Sequence, residues 1–155
     1  MSRFGKQVQL LRNNFPQLTE QLPSDGITLL APYLTHRQIL ADSELWHEGD
    51  EGNYLAFVLS GKLELLKAPE FPGHPFLLGL FSSGGILGED SFLDARPRQG
   101  TVHALEESEL LILSREKLET LNSEQPELAN LLLKWLMSLL SARLQNTQDR
   151  LADIF

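Results

Sequence analysis

The sequence has no cysteine, which excludes a disulfide framework and any metal site built on thiolates. It also has no long apolar run. No stretch approaches the ~18 apolar residues a membrane span needs, and residues 1–15, which carry Arg3, Lys6 and Arg12, hold no signal-peptide core. Both absences point to a cytoplasmic chain with no membrane contact. Basic residues are scarce where they would matter. The formal net charge is −8, and residues 41–126 hold sixteen acids against six bases, a net of −10. A nucleic-acid binder presents a basic face, so no direct nucleic-acid contact is expected. Paired histidines are missing too: His36, His47, His74 and His103 are widely separated, so no cupin-type metal site is expected. Ser60 and Ser82-Ser83 lack a nearby His–Asp arrangement, and nothing supports nucleophilic catalysis or an enzyme of that type.

What is present is an ordinary soluble composition, 42% hydrophobic and 22% charged over 155 residues, the size of one domain. We expect a single domain over 1–155, with an N-terminal helical segment (1–36), a β-roll (37–113) and C-terminal helices (114–155). Residues 3–14 predict a helix, and Pro16, Pro23, Gly26 and Pro32 limit the next stretch to short helical turns. Strands are predicted at Ile39-Leu40, Glu44–His47, Tyr54–Ser60, Lys62–Lys67, Phe76–Phe81, Gln99–Leu105 and Glu109–Leu113, with turn residues between them. Short strands at such spacing read as an antiparallel sandwich or barrel.

After Leu113 the period becomes helical. Ser114 is placed to cap a helix over Arg115–Leu121, and Pro126 opens a second helix running to about Leu151. That helix has two apolar stripes. Leu128, Leu132, Trp135, Leu139 and Ala142 are expected to pack on the β-roll. Leu133, Met137, Leu140, Leu144, Thr147, Leu151 and Ile154 keep the alternating step of a coiled-coil seam, so a homodimer through this helix is expected.

Two segments carry the chemistry. The first, Leu45-Trp46-His47-Glu48-Gly49-Asp50-Glu51-Gly52-Asn53-Tyr54 and onward to Ser60-Gly61, alternates strands with glycine turns. The second is Gly84-Gly85-Ile86-Leu87-Gly88-Glu89-Asp90-Ser91-Phe92-Leu93-Asp94-Ala95-Arg96-Pro97-Arg98-Gln99-Gly100. Folded as a loop, a helical turn and a return strand, it would turn free N–H groups near Asp90–Phe92 toward an anion. Arg98 could fork onto the same anion. Glu89 only accepts hydrogen bonds, which suits a sugar hydroxyl. Gly88 and Gly100 would let backbone approach a ligand closely. Together these residues read as a ribose-phosphate clamp.

In this order and spacing the two segments resemble the cyclic-nucleotide-binding domains of the catabolite activator proteins and of the regulatory subunits of cAMP-dependent protein kinase. The resemblance covers roughly residues 35–145. It implies a mainly β fold, an antiparallel jelly-roll β-barrel with short N-terminal helices and a long C-terminal helix. It further implies that Gly88 and Glu89 hold the ribose 2′-hydroxyl, and that Arg98 holds the phosphate with backbone amides near Ser91 and Gln99. Gln99-Gly100 stand where that family commonly has two small residues. The expected function is a stand-alone regulatory sensor of a cyclic nucleotide, cAMP ahead of cGMP, acting on an unknown partner protein. The alternative is a member that has kept the fold, lost the ligand and serves as a dimerisation or interaction module.

Overall fold

The structure, a computed structural model, describes residues 3–154. The outermost positions of the expected 1–155 domain (1, 2 and 155) lie outside the described residues. Breakers divide the N-terminal segment as expected. Helix α1 spans Gly5–Asn14, α2 Pro16–Gln21 and α3 Gly26–Leu30, followed by a 3₁₀ turn at Ala31–Tyr33. Pro16 opens α2 at a position where its missing N–H costs nothing.

Eight strands follow: β1 Thr35–Ile39, β2 Glu44–Trp46, β3 Tyr54–Ser60, β4 Leu63–Lys67, β5 Phe76–Phe81, β6 Ile86–Leu87, β7 Thr101–Ala104 and β8 Ser108–Ser114. They form two antiparallel four-stranded sheets ordered β1-β8-β3-β6 and β2-β7-β4-β5, the winding of a jelly roll. Strand β3 shows why. Leu55, Phe57 and Leu59 face a core shared with the helices, whereas Ala56 and Val58 face the core between the sheets. A strand buried on both faces reads as an unbroken apolar run, which is what residues 55–59 are. Its register on β8, with Leu55 opposite Leu113 and Phe57 opposite Leu111, puts large side chains of both strands under the helices.

Strand β1 begins at Thr35, four residues before the predicted Ile39-Leu40. Its burial alternates poorly because it is a sheet edge, so periodicity carries little signal there. Strand β6 was not predicted, because two residues between glycines show no period.

At the C-terminal end, Ser114 Oγ accepts from the Lys117 N–H at 3.0 Å and caps α5, Arg115–Glu124. Helix α6 spans Pro126–Ile154, 29 residues, or roughly 44 Å at 1.5 Å per residue. Its first half is docked: Leu128, Leu132, Trp135 and Leu136 are buried, and Trp135 stacks on Phe57 with centroids 6.1 Å apart. The inward stripe ends sooner than its spacing suggested, since Leu139 is half-buried and Ala142 exposed. The helix outruns the roll there. The second stripe is largely open to solvent, with Met137, Leu144, Leu151 and Ile154 all at least half exposed. Among the described residues, no helix is long and apolar enough to cross a membrane.

Candidate functional site

The two motif segments are hydrogen-bonded to each other. The Gly49 N–H donates to the Arg98 carbonyl at 2.9 Å, the Arg98 N–H to the Asp50 carbonyl at 2.7 Å, and the Gly52 N–H to the Arg96 carbonyl at 3.2 Å. Gly52 lies flush on the second segment: a Cβ there would stand 1.9 Å from Ser91 Oγ. Gly88 has φ +94°, and a Cβ on it would lie 2.7 Å from both the Tyr54 carbonyl and Arg98 Nη1. Glycine is therefore required at both positions by close approach, and at Gly88 by backbone conformation as well.

Behind Gly88 sits Arg98, only 2% exposed. Its Nη1 donates to the Gly88 carbonyl at 3.2 Å and to Ser91 Oγ at 2.9 Å, and its Nη2 donates to the Tyr54 carbonyl at 2.7 Å. The guanidinium lies over Trp46 at 3.7 Å and near Tyr54 at 4.9 Å, the arrangement of a cation on aromatic faces. Burial pulls its pKa below the usual arginine value, and Tyr54 and Asp90 lead the groups opposing that shift. Its Nε is buried with no hydrogen-bond partner.

In front of Gly88 a cavity of about 190 Å³ is lined by Trp46, Leu65, Phe81, Leu87, Gly88, Glu89, Asp90, Gln99 and Gly100. Glu89 opens the short helix α4, Glu89–Phe92. Burial raises its carboxyl pKa, and the guanidinium of Arg143 from α6 is the largest influence pulling it back down. Arg143 Nη1 donates to Glu89 Oε1 at 3.0 Å, and Nη2 donates to the Ile86 carbonyl. Beside them, the Gln99 N–H donates to Asp90 Oδ2 at 3.4 Å. The Gln99 carbonyl accepts from Lys67 Nζ at 3.2 Å, and the Gly100 carbonyl accepts from Trp46 Nε1 at 3.1 Å.

The six residues singled out from sequence thus fall into two groups. Gly88, Glu89, Gln99 and Gly100 wall the cavity. Arg98 and Ser91 bond to each other behind it and are absent from its lining. Three further residues belong to the site. Trp46 lies under the Arg98 guanidinium and lines the cavity, between the two groups. Tyr54 supplies a carbonyl and a ring to Arg98. Arg143 reaches Glu89 from 54 positions away, and no sequence period marks it. A wider apolar groove of about 490 Å³ runs from Glu89 and Phe92 along Leu133, Met137 and Leu140 of α6. Trp135 is held by Phe57 and Phe15 and lines neither. No cluster of three or more metal-ligating side chains occurs among the described residues.

Residues 36–125 match the family model for the cyclic nucleotide-binding domain. A CRP-like cAMP-activated global transcriptional regulator of Mycobacterium tuberculosis is 30% identical over 108 residues, covering 69% of this chain and 46% of that protein. The cyclic AMP receptor protein of Thermus thermophilus is 33% identical over 95 residues, covering 61% and 44%. The chain thus spans about half the length of these relatives. A crystal structure of a cyclic nucleotide-binding domain from Methylobacillus flagellatus superposes with a TM-score of 0.82 at 27% identity, covering 94% of this chain and 86% of that one.

Proposed function

The chain belongs to the cyclic nucleotide-binding domain family, and from that premise we propose that it is a cytoplasmic regulatory sensor of a cyclic nucleotide, cAMP ahead of cGMP. One observation carries the reading. A cavity walled by Gly88, Glu89, Gln99 and Gly100 lies against a buried Arg98 whose Nε has no acceptor. A buried cationic donor without a partner is costly, and a phosphate oxygen is the acceptor this chemistry suits. Glu89 would take a ribose hydroxyl, and Arg98 with the Gln99 amide would take the phosphate. Relatives named as cAMP-activated or cyclic AMP receptor proteins support cAMP as the first ligand to try.

The signal would leave through α6. Its solvent-facing stripe of Met137, Leu144, Leu151 and Ile154 suits a second copy in a homodimer. Edge strand β5 adds exposed Phe76, Leu77, Leu78 and Leu80. The transcriptional relatives are about twice as long as the matched segment, and residues 41–126 here are acidic. We therefore assign these residues ligand sensing and control of a partner, with neither catalysis nor DNA contact.

Calorimetric titration with cAMP and cGMP tests this, using the parent, Glu89→Gln and Arg98→Lys. The expected parent dissociation constant is micromolar or tighter, about −8 kcal/mol. Each variant should weaken it by roughly tenfold or more, the scale of one charge-assisted bond. No heat from folded parent protein with either nucleotide would sink the proposal.

A second reading, an interaction module without a ligand, draws on a specific observation. Arg98 is already bonded to Gly88, Ser91 and Tyr54, and the Gln99 amide to Asp90. The cavity, about 190 Å³, is also smaller than the roughly 300–1,000 Å³ of common ligand pockets. A nucleotide would have to displace some of these contacts, and the titration decides whether it does.

A further inference from the structure

The anion-seeking donors of the cavity are already in contact with an anion that belongs to the chain itself. Asp90 lines the cavity and is exposed, so its carboxylate has open water to turn to. It faces the donors instead. Its Oδ2 accepts from the Gln99 N–H at 3.4 Å, and its Oδ1 accepts from the Ser91 hydroxyl at 3.5 Å. Ser91 in turn accepts from Arg98 Nη1 at 2.9 Å, which makes Asp90 the outer end of a line running to the buried guanidinium. After Tyr54, Asp90 is the group that most offsets the burial of Arg98. Both of its own contacts are long, so neither grips the carboxylate firmly. Asp94, four positions on, is placed differently: Arg96 Nε donates to its Oδ2 at 2.7 Å, and it does not line the cavity.

We propose that Asp90 is a built-in competitor of the ligand: its carboxylate stands at the phosphate position of the cavity, and a cyclic nucleotide binds by turning it out to solvent. This rests on the reading of the cavity as a cyclic-nucleotide site, in which the Gln99 amide and Arg98 take the phosphate. An ionised carboxylate and a cyclic phosphodiester carry the same charge, and both only accept hydrogen bonds. They therefore compete for the same donors, and holding both there at once sets like charges against each other. Exchange of one anion for the other leaves the donors with an anionic partner in both states. Asp90 thus sets the nucleotide concentration at which the site fills without contributing a contact to the bound state. It also sets a condition on the ligand, because a neutral nucleoside brings no anion with which to displace it.

The test is calorimetric titration of cAMP and cGMP into the parent, Asp90→Ala, Asp90→Asn and Asp94→Ala, with amide NMR spectra of the same four proteins before nucleotide is added. Asp90→Ala should bind nucleotide about tenfold more tightly than the parent, the scale of one charge-assisted hydrogen bond. Asp90→Asn keeps an acceptor without the charge and should fall between the two. Asp94→Ala should stay within about twofold of the parent, because the charge it removes is exposed, paired and screened. Without nucleotide, the Gln99 amide proton should move upfield in Asp90→Ala and hold its place in Asp94→Ala. Parent protein that binds nothing beside an Asp90→Ala variant that does bind would support the proposal in its strongest form. Asp90→Ala that binds no more tightly than a binding parent, equal tightening in Asp94→Ala, or an unmoved Gln99 resonance overturns it while leaving the sensor reading intact. If none of the four proteins binds either nucleotide, both fall.

Discussion

Replacing Arg98 tests whether it is a strut as well as a ligand group, and the structure sets the size of the effect. In Arg98→Ala, two carbonyls (Gly88 and Tyr54) and the Ser91 hydroxyl lose their donor within a buried site. Each stranded acceptor costs about 1–3 kcal/mol, and the contact over Trp46 at 3.7 Å adds about 0.5–2 kcal/mol. Against this, the desolvation borne by the buried guanidinium is relieved, and water can enter the space it leaves. The net falls at about 3–5 kcal/mol, the range seen when one partner of a buried charged contact is removed. That is a large share of the 5–15 kcal/mol that holds typical domains together. With a urea dependence of about 2 kcal/mol per molar, the unfolding midpoint should drop by roughly 1.5–2.5 M. The assay is urea unfolding followed by circular dichroism with no nucleotide present, so ligand binding plays no part. A midpoint shift below about 0.25 M, or 0.5 kcal/mol, would refute the reasoning and mean that Arg98 is free to swing toward a ligand.

Three other outcomes are expected. Burial raises the Glu89 pKa in the folded state, so its proton uptake adds stability at low pH that is lost as pH rises through the folded value. Urea midpoints should therefore fall less in Glu89→Gln than in the parent over that rise, and parallel profiles would count against the burial argument. Gly52→Ala forces a methyl against Ser91 Oγ and to 3.0 Å from the Arg96 carbonyl. It should cost about 1–3 kcal/mol by overpacking, with part returned by adding Ser91→Gly. Leu144→Glu combined with Leu151→Glu puts charge on the exposed stripe of α6. In sedimentation it should shift the protein toward monomer with the circular dichroism of the folded state retained. An unchanged mass would remove that stripe as the seam.

The sequence was most legible where burial imposes a period. Strands β3 and β5 lie where their apolar runs end, because turn residues bound them, and Ser114 caps α5 because its hydroxyl meets a free N–H one turn on. The candidate site was legible as a set of residues but not as a geometry. Gly88 and Gly100 announce close approach, yet nothing local says that Arg98 turns behind Gly88 and spends its donors on Tyr54 and Ser91. Those partners stand 44 and 7 positions away, and only the pairing of the two motif segments brings them together. Arg143 was hidden for the same reason. On α6 it reads as one more polar residue between apolar stripes, and its meaning appears only once the helix lies across Ile86 and Glu89. The bond of Asp90 to the Gln99 amide was equally hidden, because it depends on the fold of the α4 turn.

The chain has two tryptophans, and each stands on one part of the device. Trp46 lies under Arg98 and lines the cavity, whereas Trp135 is stacked on Phe57 beneath the docked half of α6. The protein therefore carries two intrinsic fluorophores, one reading the pocket and one reading the helix, and a Phe substitution at either silences one channel. Rapid mixing with nucleotide would then time the two events separately. A Trp135 signal that leads Trp46 means the helix moves before the ligand is seated, and the reverse order means that binding comes first. That is the kinetic distinction between selecting a state and inducing it.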